Sequence, residues 1–572
     1  MKQNIRLFRE QNSPWSKFLD WNPQFFREIK GKLKTRNIVI SAAISVIIQF
    51  VAVISLLGQL PDSDPEGIFG TQYSSYCLGN GLDSAACTKD MLGNWVINWQ
   101  LLWLDLFIIL SIISIFSVLV IGTYMLIADT VQEESRGTLN FIRLTPQSAS
   151  SILLGKMLGV PILLFSGILL LLPLHLASGL NAHIPAALIL GFYGVVVASC
   201  GFFYSLALLW SLTKLGFPGL KPWLGSGLLG VLLFVLTRLL FDGYVTLDNP
   251  AGWLFLFNPS LVLSYLIDAT YLPNSKIDFL TVGDLSNMLF LGQALWKNAT
   301  IGISTILFHF CLWTYWCWSI AQRRFLNPDR TLISKTQSYW LTGWFVAIAL
   351  GFTLQSTRQS LLEEYFIFLQ FCLGVWGLGL IAVLSPHRQA LHDWSRYRHQ
   401  VSNEGKVLWQ ELIFGENSPS TVAIAINLLI AIAYIVPSIL LHLDQKRHHL
   451  LWGFILCAGS ILLLAVVAQF ILTSKTRKRG VWSIITVTSL IIVPPVCLGF
   501  AEVYPETTPL VWLFSFLPTV ITEYATVPTL LMAVLGQWLA ISVIGFQMTR
   551  KLRQAGASET KLLLDRHAVL TD

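Results

Sequence analysis

Apolar residues in this chain come in blocks separated by short polar stretches, and the blocks run to about 20 residues, the length a helix needs to cross a bilayer core. They predict twelve spans, at 38–57, 99–127, 152–176, 184–212, 223–241, 296–320, 340–354, 365–384, 422–441, 451–472, 481–500 and 528–548. Backbone polar groups in lipid must be satisfied within the segment, so the spans are expected to be helices rather than open sheet. The expectation is an all-α polytopic membrane protein with both ends on one side.

Composition agrees. The chain is 54% hydrophobic and 12% charged, about half the charged share of a soluble globular protein. The net charge of +7 does not signal nucleic acid, because the cations are sorted by side. With the N-terminus inside, 31 Lys and Arg fall on inside segments and six outside, with Arg238 left within a span. That bias predicts cytoplasmic termini in a cytoplasmic (inner or plasma) membrane. The one local discord is the basic outside loop 444–449. The first 37 residues carry no cleavable leader signal. Asn22-Pro23 opens a candidate helix with Phe25 or Phe26, Ile29 and Leu33 at helical spacing beside Arg27, Lys30, Lys32 and Lys34. Two readings stand here, an interfacial amphipathic helix or an unstructured basic tail.

The most informative polar island is 129–156. Gly137 interrupts the helix that carries Glu133 and Glu134 out of the membrane, since glycine accepts turn conformations. Thr138 is expected to cap a short helix over 139–144 that offers Leu139, Phe141 and Ile142 as an apolar surface. Thr145-Pro146 is expected to start the next helix, with Thr as cap and Pro at the first position. The acidic pair and Arg136 are expected to fix the bend through local ion pairs.

The order of these parts resembles the signature loop of the type-2 ABC exporter permeases: an acidic pair, a basic residue, G-T-L, an apolar turn, T-P, and a later G-K. Glu133, Glu134, Arg136, Gly137, Thr138, Leu139, Thr145, Pro146, Gly155 and Lys156 match it. The resemblance implies that the short helix is a coupling helix, which docks in a cleft of a separate ABC ATPase subunit. It also implies an amphipathic connecting helix before the first span and short re-entrant helices before the sixth. The segment 253–266 is too short to cross alone and reads as a re-entrant or interfacial helix pair, in agreement with the latter.

An internal repeat extends this reading. W-L-F-x-F-x-P occurs at 253–259 and again at 512–518; Thr145-Pro146 has a counterpart in Ser418-Pro419, and Arg323-Arg324 in Arg550-Lys551. The expected organisation is an N-terminal segment 1–37, a first six-span unit 38–325, a linker 326–338, a diverged second unit 339–549 and a tail 550–572. The second unit lacks R-G-T-L, and Gly405 to Pro419 is fourteen steps where Gly137 to Pro146 is nine. Trp409, Leu412 and Ile413 are its weaker coupling candidates.

Catalytic chemistry is not expected. The phosphate-cradling G-x-x-x-x-G-K-[ST] loop is missing, so the expected roles are no enzyme activity, no metal and no cofactor on this chain, with ATP and Mg on the partner. The histidines show no metal spacing, and His387, His392, His448 and His449 are placed in loops. Arg238 and Asp242, four apart near the outer end of a span, read as a helix-surface ion pair or as snorkelling to the interface, with a substrate contact as the lesser reading, and Asp105 near the outer end of its span reads the same way. Outside acids such as Asp62, Asp64, Glu502 and Glu506 form no motif. Cys77 and Cys87 share an outside loop, where a bridge is one option; the other six cysteines read as small buried residues. Besides the lipid bilayer and the ATPase, the remaining partner is a transported substrate, amphipathic or lipid-like on the apolar, aromatic character of the spans. A secondary transporter, a membrane-embedded transferase and a membrane scaffold are the competing classes.

Overall fold

The computed structural model describes residues 21–61, 76–77, 87–88, 90–91, 94–213, 217–241, 247–270, 285–356, 358–400, 405–443 and 446–556. Asp62, Asp64, Asp242, Asn403, Glu404 and the tail 557–572 lie outside the described residues. The chain divides into two compact units, Met1–Leu289 with Ala294–Leu326, and Phe290–Gln293 with Asn327–Asp572. It is an all-α multi-pass membrane protein, with eleven helices among the described residues long and apolar enough to cross a bilayer. Among the described residues its strands are two-residue pieces at Leu289–Phe290 and Gln293–Ala294.

The first unit opens with α1 (Pro23–Lys32), whose cap Asn22 accepts from the Phe25 amide at 3.1 Å. Next come α2 (Thr35–Leu57) and α3 (Trp99–Ser135), the latter eight residues longer than the expected span. Within α3, residues Ser117–Ile121 form a π-turn. The Tyr204 hydroxyl donates to the Val118 carbonyl there at 2.7 Å, beside the Gly122 amide, which also reaches it. The short α4 (Thr138–Arg143) follows. The expected third span is broken in two, α5 (Ala149–Gly159) and α6 (Ile162–Asn181), because Pro161 has no amide to continue the ladder.

Then come α7 (Ala186–Ser211) and α8 (Lys221–Leu240). The segment expected to be a re-entrant or interfacial helix pair forms α9 (Gly252–Phe255) and α10 (Ser260–Asp268), and α11 (Ala299–Leu326) closes the unit. Leu261, Val262, Leu263 and Leu266 are fully buried, so α10 is packed within protein rather than floating in the interface. The principal packings are α2 on α6, α3 on α6, α7 and α8, and α7 on α11.

The second unit contains α12 (Lys335–Thr353), α13 (Gln359–Leu384), α14 (Arg388–Gln400), α15 (Gly405–Phe414), α16 (Thr421–His442), α17 (Arg447–Leu472), α18 (Arg479–Phe500), α19 (Pro509–Trp512), α20 (Thr519–Thr522) and α21 (Val527–Gly556). The expected seventh span is the helix outside the eleven. The polar opening turn of α12, Lys335 to Ser338, leaves its apolar run short. Here α12 packs on α16, α13 on α17, and α17 on α18 and α21. Helix α14 is one the apolar pattern did not predict; Leu391 is buried against Met548 and Leu552 of α21. His392 lies in α14, and His448 and His449 open α17, so only His387 of the four is in a connecting segment. The Nδ1 of His449 lies 3.0 Å from the Thr522 carbonyl oxygen.

Candidate functional site

The island around Gly137 is where chain direction, buried charge and exposed apolar surface meet. Gly137 adopts φ +74° and is itself the residue before α4; a left-handed turn of this kind favours glycine. Thr138 is therefore inside the helix, not its cap, and its hydroxyl donates to the Glu133 carbonyl at 3.1 Å. Thr145 closes α4 instead of starting α5, its hydroxyl donating to the Ile142 carbonyl at 2.7 Å. The cap of α5 is Ser148, which accepts from the Ser151 amide. Pro146 thus lies between the two helices, not at a helix start.

The apolar residues of α4 sort by face. Leu139 is 1% exposed and Ile142 7%, both packed in the core with Leu126, Val131, Ile152 and Phe325. They are anchors of the loop to its own unit and not a surface for a partner. The outward face carries Phe141 at 75% and Leu144 at 83% exposure. Sequence spacing did not separate the two sets, because one turn of short helix puts an apolar residue on every side.

The acids do not pair with Arg136, which is exposed. Glu133 reaches across to Lys156 Nζ at 2.6 Å and to Arg27 on α1. Lys156 is fully buried and also contacts Asp129 at 2.6 Å, with Glu28 at 3.9 Å. Arg27 and Lys32 pair with Glu28 at 3.2 and 2.9 Å, and Lys32 lies 3.7 Å from Asp129. Three cations thus balance three anions. Burial works against the Arg27 charge, but Glu133 and Glu28 outweigh it and hold the guanidinium above its ordinary value. The Glu28, Asp129 and Glu133 oxygens converge within 4.8 Å, a spacing that could hold a metal ion; the Lys156 ammonium fills that role.

Gly155 explains how α1 comes so close. A Cβ there would lie 2.8 Å from Asn22 Oδ1, Gln24 Cβ and the Phe25 amide nitrogen, and one at Gly159 would lie 2.6 Å from Glu28 Cβ. Asn22 also donates to the Ser151 carbonyl at 2.7 Å. Helix α1 buries Gln24, Phe25 and Glu28 and exposes Phe26, and the flanking Trp21 and Leu33 are exposed too. Phe26 and Leu33 thus stand exposed beside the exposed cations Arg27, Lys30 and Lys34, which suits a helix at the membrane interface.

In the second unit Trp409 is exposed, Leu412 and Ile413 are half-buried, and Phe414 is exposed. Lys335, 2% exposed, donates to the Leu412 carbonyl at 2.7 Å, the Ser418 hydroxyl at 2.6 Å and the Pro419 carbonyl at 3.1 Å. Tyr339 donates to the Ile413 carbonyl at 2.7 Å.

No family model, curated protein or solved structure matches this chain.

Three polar groups in the spans are buried. Asp105 is 2% exposed and accepts from the Tyr76 hydroxyl at 2.8 Å, so it is buried rather than at the helix surface. Tyr76 adjoins Cys77, which is disulfide-bonded to Cys87. His175 lies 2.7 Å from Ser111 Oγ and 2.8 Å from the Tyr193 hydroxyl, linking α3, α6 and α7 as interhelical polar groups do. His309 is buried beside Phe257. Of the six free cysteines, Cys311 and Cys497 are exposed rather than buried.

Proposed function

We propose that this chain is the permease subunit of an ATP-driven ABC exporter of the type-2 class, and that α4 docks to a separate ABC ATPase. The observation that carries the reading is the exposed pair Phe141 and Leu144 on a helix whose other face is locked into the core between α3 and α5. A rigid helix in that position transmits a push to both spans. The ion cluster supports this, because it ties α1, the end of α3 and the last turn of α5 into one body.

The same reading treats the chain as two permease units in tandem. In both units the first span packs on the third, the second on the fourth and the fourth on the sixth. Pro259 and Pro518, the last residues of the repeated W-L-F-x-F-x-P, each stand immediately before the second of two short helices. The fifth spans differ, α8 packing on α3 but α18 on α17. Helix α15 is then the second docking helix, with Trp409 and Phe414 outward. The cargo is an amphipathic or lipid-like molecule, and ATP with Mg belongs to the partner.

The test is purification of the tagged chain from its native membrane. A co-purifying nucleotide-binding subunit with Mg-dependent ATP hydrolysis is expected, lost together in the Phe141→Asp, Leu144→Asp variant. A chain that arrives without either overturns the reading. The buried Asp105 and His175 favour a secondary transporter as the second reading; uptake or efflux driven by an ion gradient in ATP-free vesicles would select it.

A further inference from the structure

At their loop-helix ends the two units carry cations in opposite settings. In the first, Arg27, Lys32 and Lys156 are balanced by Glu28, Asp129 and Glu133. In the second, the turn between α17 and α18 holds Lys475, Arg477 and Lys478 exposed and Arg479 half-buried. The last turns of α21 add Arg550, Lys551 and Arg553, all exposed. No acid occurs in 468–483 or in 546–556. Among the described residues no carboxylate pairs with any of these seven cations.

Packing brings both sets to one corner. Phe470, in the last turn of α17, and Trp394 of α14 pack against Leu391 of α14 and Met548 and Leu552 of α21. The Lys551 ammonium lies 3.7 Å from the centre of the Phe470 ring. Ser483 of α18 donates to the Ala468 carbonyl at 3.4 Å, which keeps the start of α18 beside the end of α17. Helix α14 adds more positive charge, and its one acid, Asp393, lies 3.9 Å from Arg396. Burial, and then Arg388 and Arg396, hold His392 below its ordinary value against the pull of Asp393, as a positive field does.

Exposed apolar surface begins within one helical turn of these charges. Trp482, Ile484 and Ile485 on α18 and Phe546 on α21 are exposed, and Ser483 is the only residue of α18 that its surroundings bury. Tryptophan beside cations at the end of a span marks headgroup depth. Uncompensated cations with apolar surface directly above them match a molecule that has an anionic head and apolar chains. A soluble acidic partner would match the charges and leave the apolar strip unused.

We propose that this corner of the second unit is a selective site for an anionic phospholipid: the turn 475–479 and the end of α21 hold its phosphate, and its acyl chains lie along α18 and α21. The charge-balanced cluster of the first unit makes no such demand. Trp394 at the same corner donates to Glu411 of α15 at 2.8 Å, so a bound headgroup steadies the base of the second loop helix. That consequence rests on α15 being a docking helix, but the lipid site does not.

Delipidated full chain in neutral detergent, titrated with phosphatidylglycerol or with phosphatidylcholine of the same chains and read by native mass spectrometry, tests this. Phosphatidylglycerol is expected to bind at least about tenfold more tightly, with a preference that shrinks as salt rises. Two triple variants, Lys475→Gln with Arg477→Gln and Lys478→Gln, and Arg550→Gln with Lys551→Gln and Arg553→Gln, are each expected to lose at least about tenfold of the affinity for phosphatidylglycerol. The charge-keeping variant Lys475→Arg, Lys478→Arg, Lys551→Arg is expected to retain it. So is Lys297→Gln with Arg447→Gln, which removes exposed cations outside the corner. All these side chains except the half-buried Arg479, which is left in place, are exposed, and unfolding midpoints without lipid check that the fold is kept. Equal binding of the two lipids, full retention in either triple variant, or an equal loss in the variant outside the corner overturns the proposal. Displacement of the lipid by millimolar inorganic phosphate would also overturn it, in favour of a soluble-anion site. No ATPase enters the measurement, so the result stands or falls apart from the exporter reading.

Discussion

At the scale of single residues, Lys156 is the charge on which the first loop depends. Its ammonium is fully buried and in contact with Asp129 and Glu133. Removing one member of a buried ion pair strands the other, typically at about 3–5 kcal/mol. Lys156→Met is therefore expected to lower the thermal unfolding midpoint of the detergent-purified protein sharply. A second change, Asp129→Asn, removes one stranded carboxylate and is expected to recover part of the loss. Non-additivity of that kind marks a coupled pair, whereas two independent losses would mean the contact is incidental. The sequence placed Lys156 and Gly155 in a motif but did not say why they stand together. Their roles depend on α1, more than 120 residues earlier, whose Glu28 and Asn22 complete the site. No local spacing encodes a contact over that distance.

At the scale of elements, the loop helix α4 divides into an anchor face and an outward face. Phe141→Asp with Leu144→Asp is expected to leave the chain folded and inserted while abolishing ATPase capture. Leu139→Asp is expected to fail earlier, in assembly itself, because burying an unpaired carboxylate in that core has no compensation. Size-exclusion profiles and pull-down of the ATPase distinguish the two outcomes; equal folding with equal loss of capture would return Leu139 to the docking face. The corresponding Trp409→Asp, Phe414→Asp change on α15 is expected to reduce capture less than the α4 change, since that half lacks R-G-T-L. Element existence was legible in the apolar blocks, from α2 to α21, because a span must be a helix of given length. What escaped was set by tertiary context or by single backbone atoms. Helix α14 is polar overall and is fixed by packing on α21. The break before α6 follows from Pro161, and the side of α4 that faces inward is set by Val131 and Phe325.

At the scale of the whole molecule, the sorting of Lys and Arg gives the exporter reading its orientation. Both loop helices, α4 and α15, fall on the cation-rich side of that arrangement, where a cytoplasmic ATPase could reach them. The connection between α18 and α19 falls on the other. These placements are linked: an odd number of crossings between α4 and α15 would put one docking helix out of reach and end the tandem reading. The helix on which this turns is α12, whose apolar run is the shortest of the twelve. If it crosses, six spans separate the two loops; if it does not, five do. Single cysteines at Phe141, Trp409 and Glu506, in a background with Cys311 and Cys497 changed to Ser, separate these cases in intact cells with a membrane-impermeant maleimide. Glu506→Cys is expected to label directly, and Phe141→Cys and Trp409→Cys only after permeabilisation. Labelling of Trp409→Cys alone in intact cells would mean that α12 lies on the membrane rather than through it, and that the second loop cannot share a partner with the first.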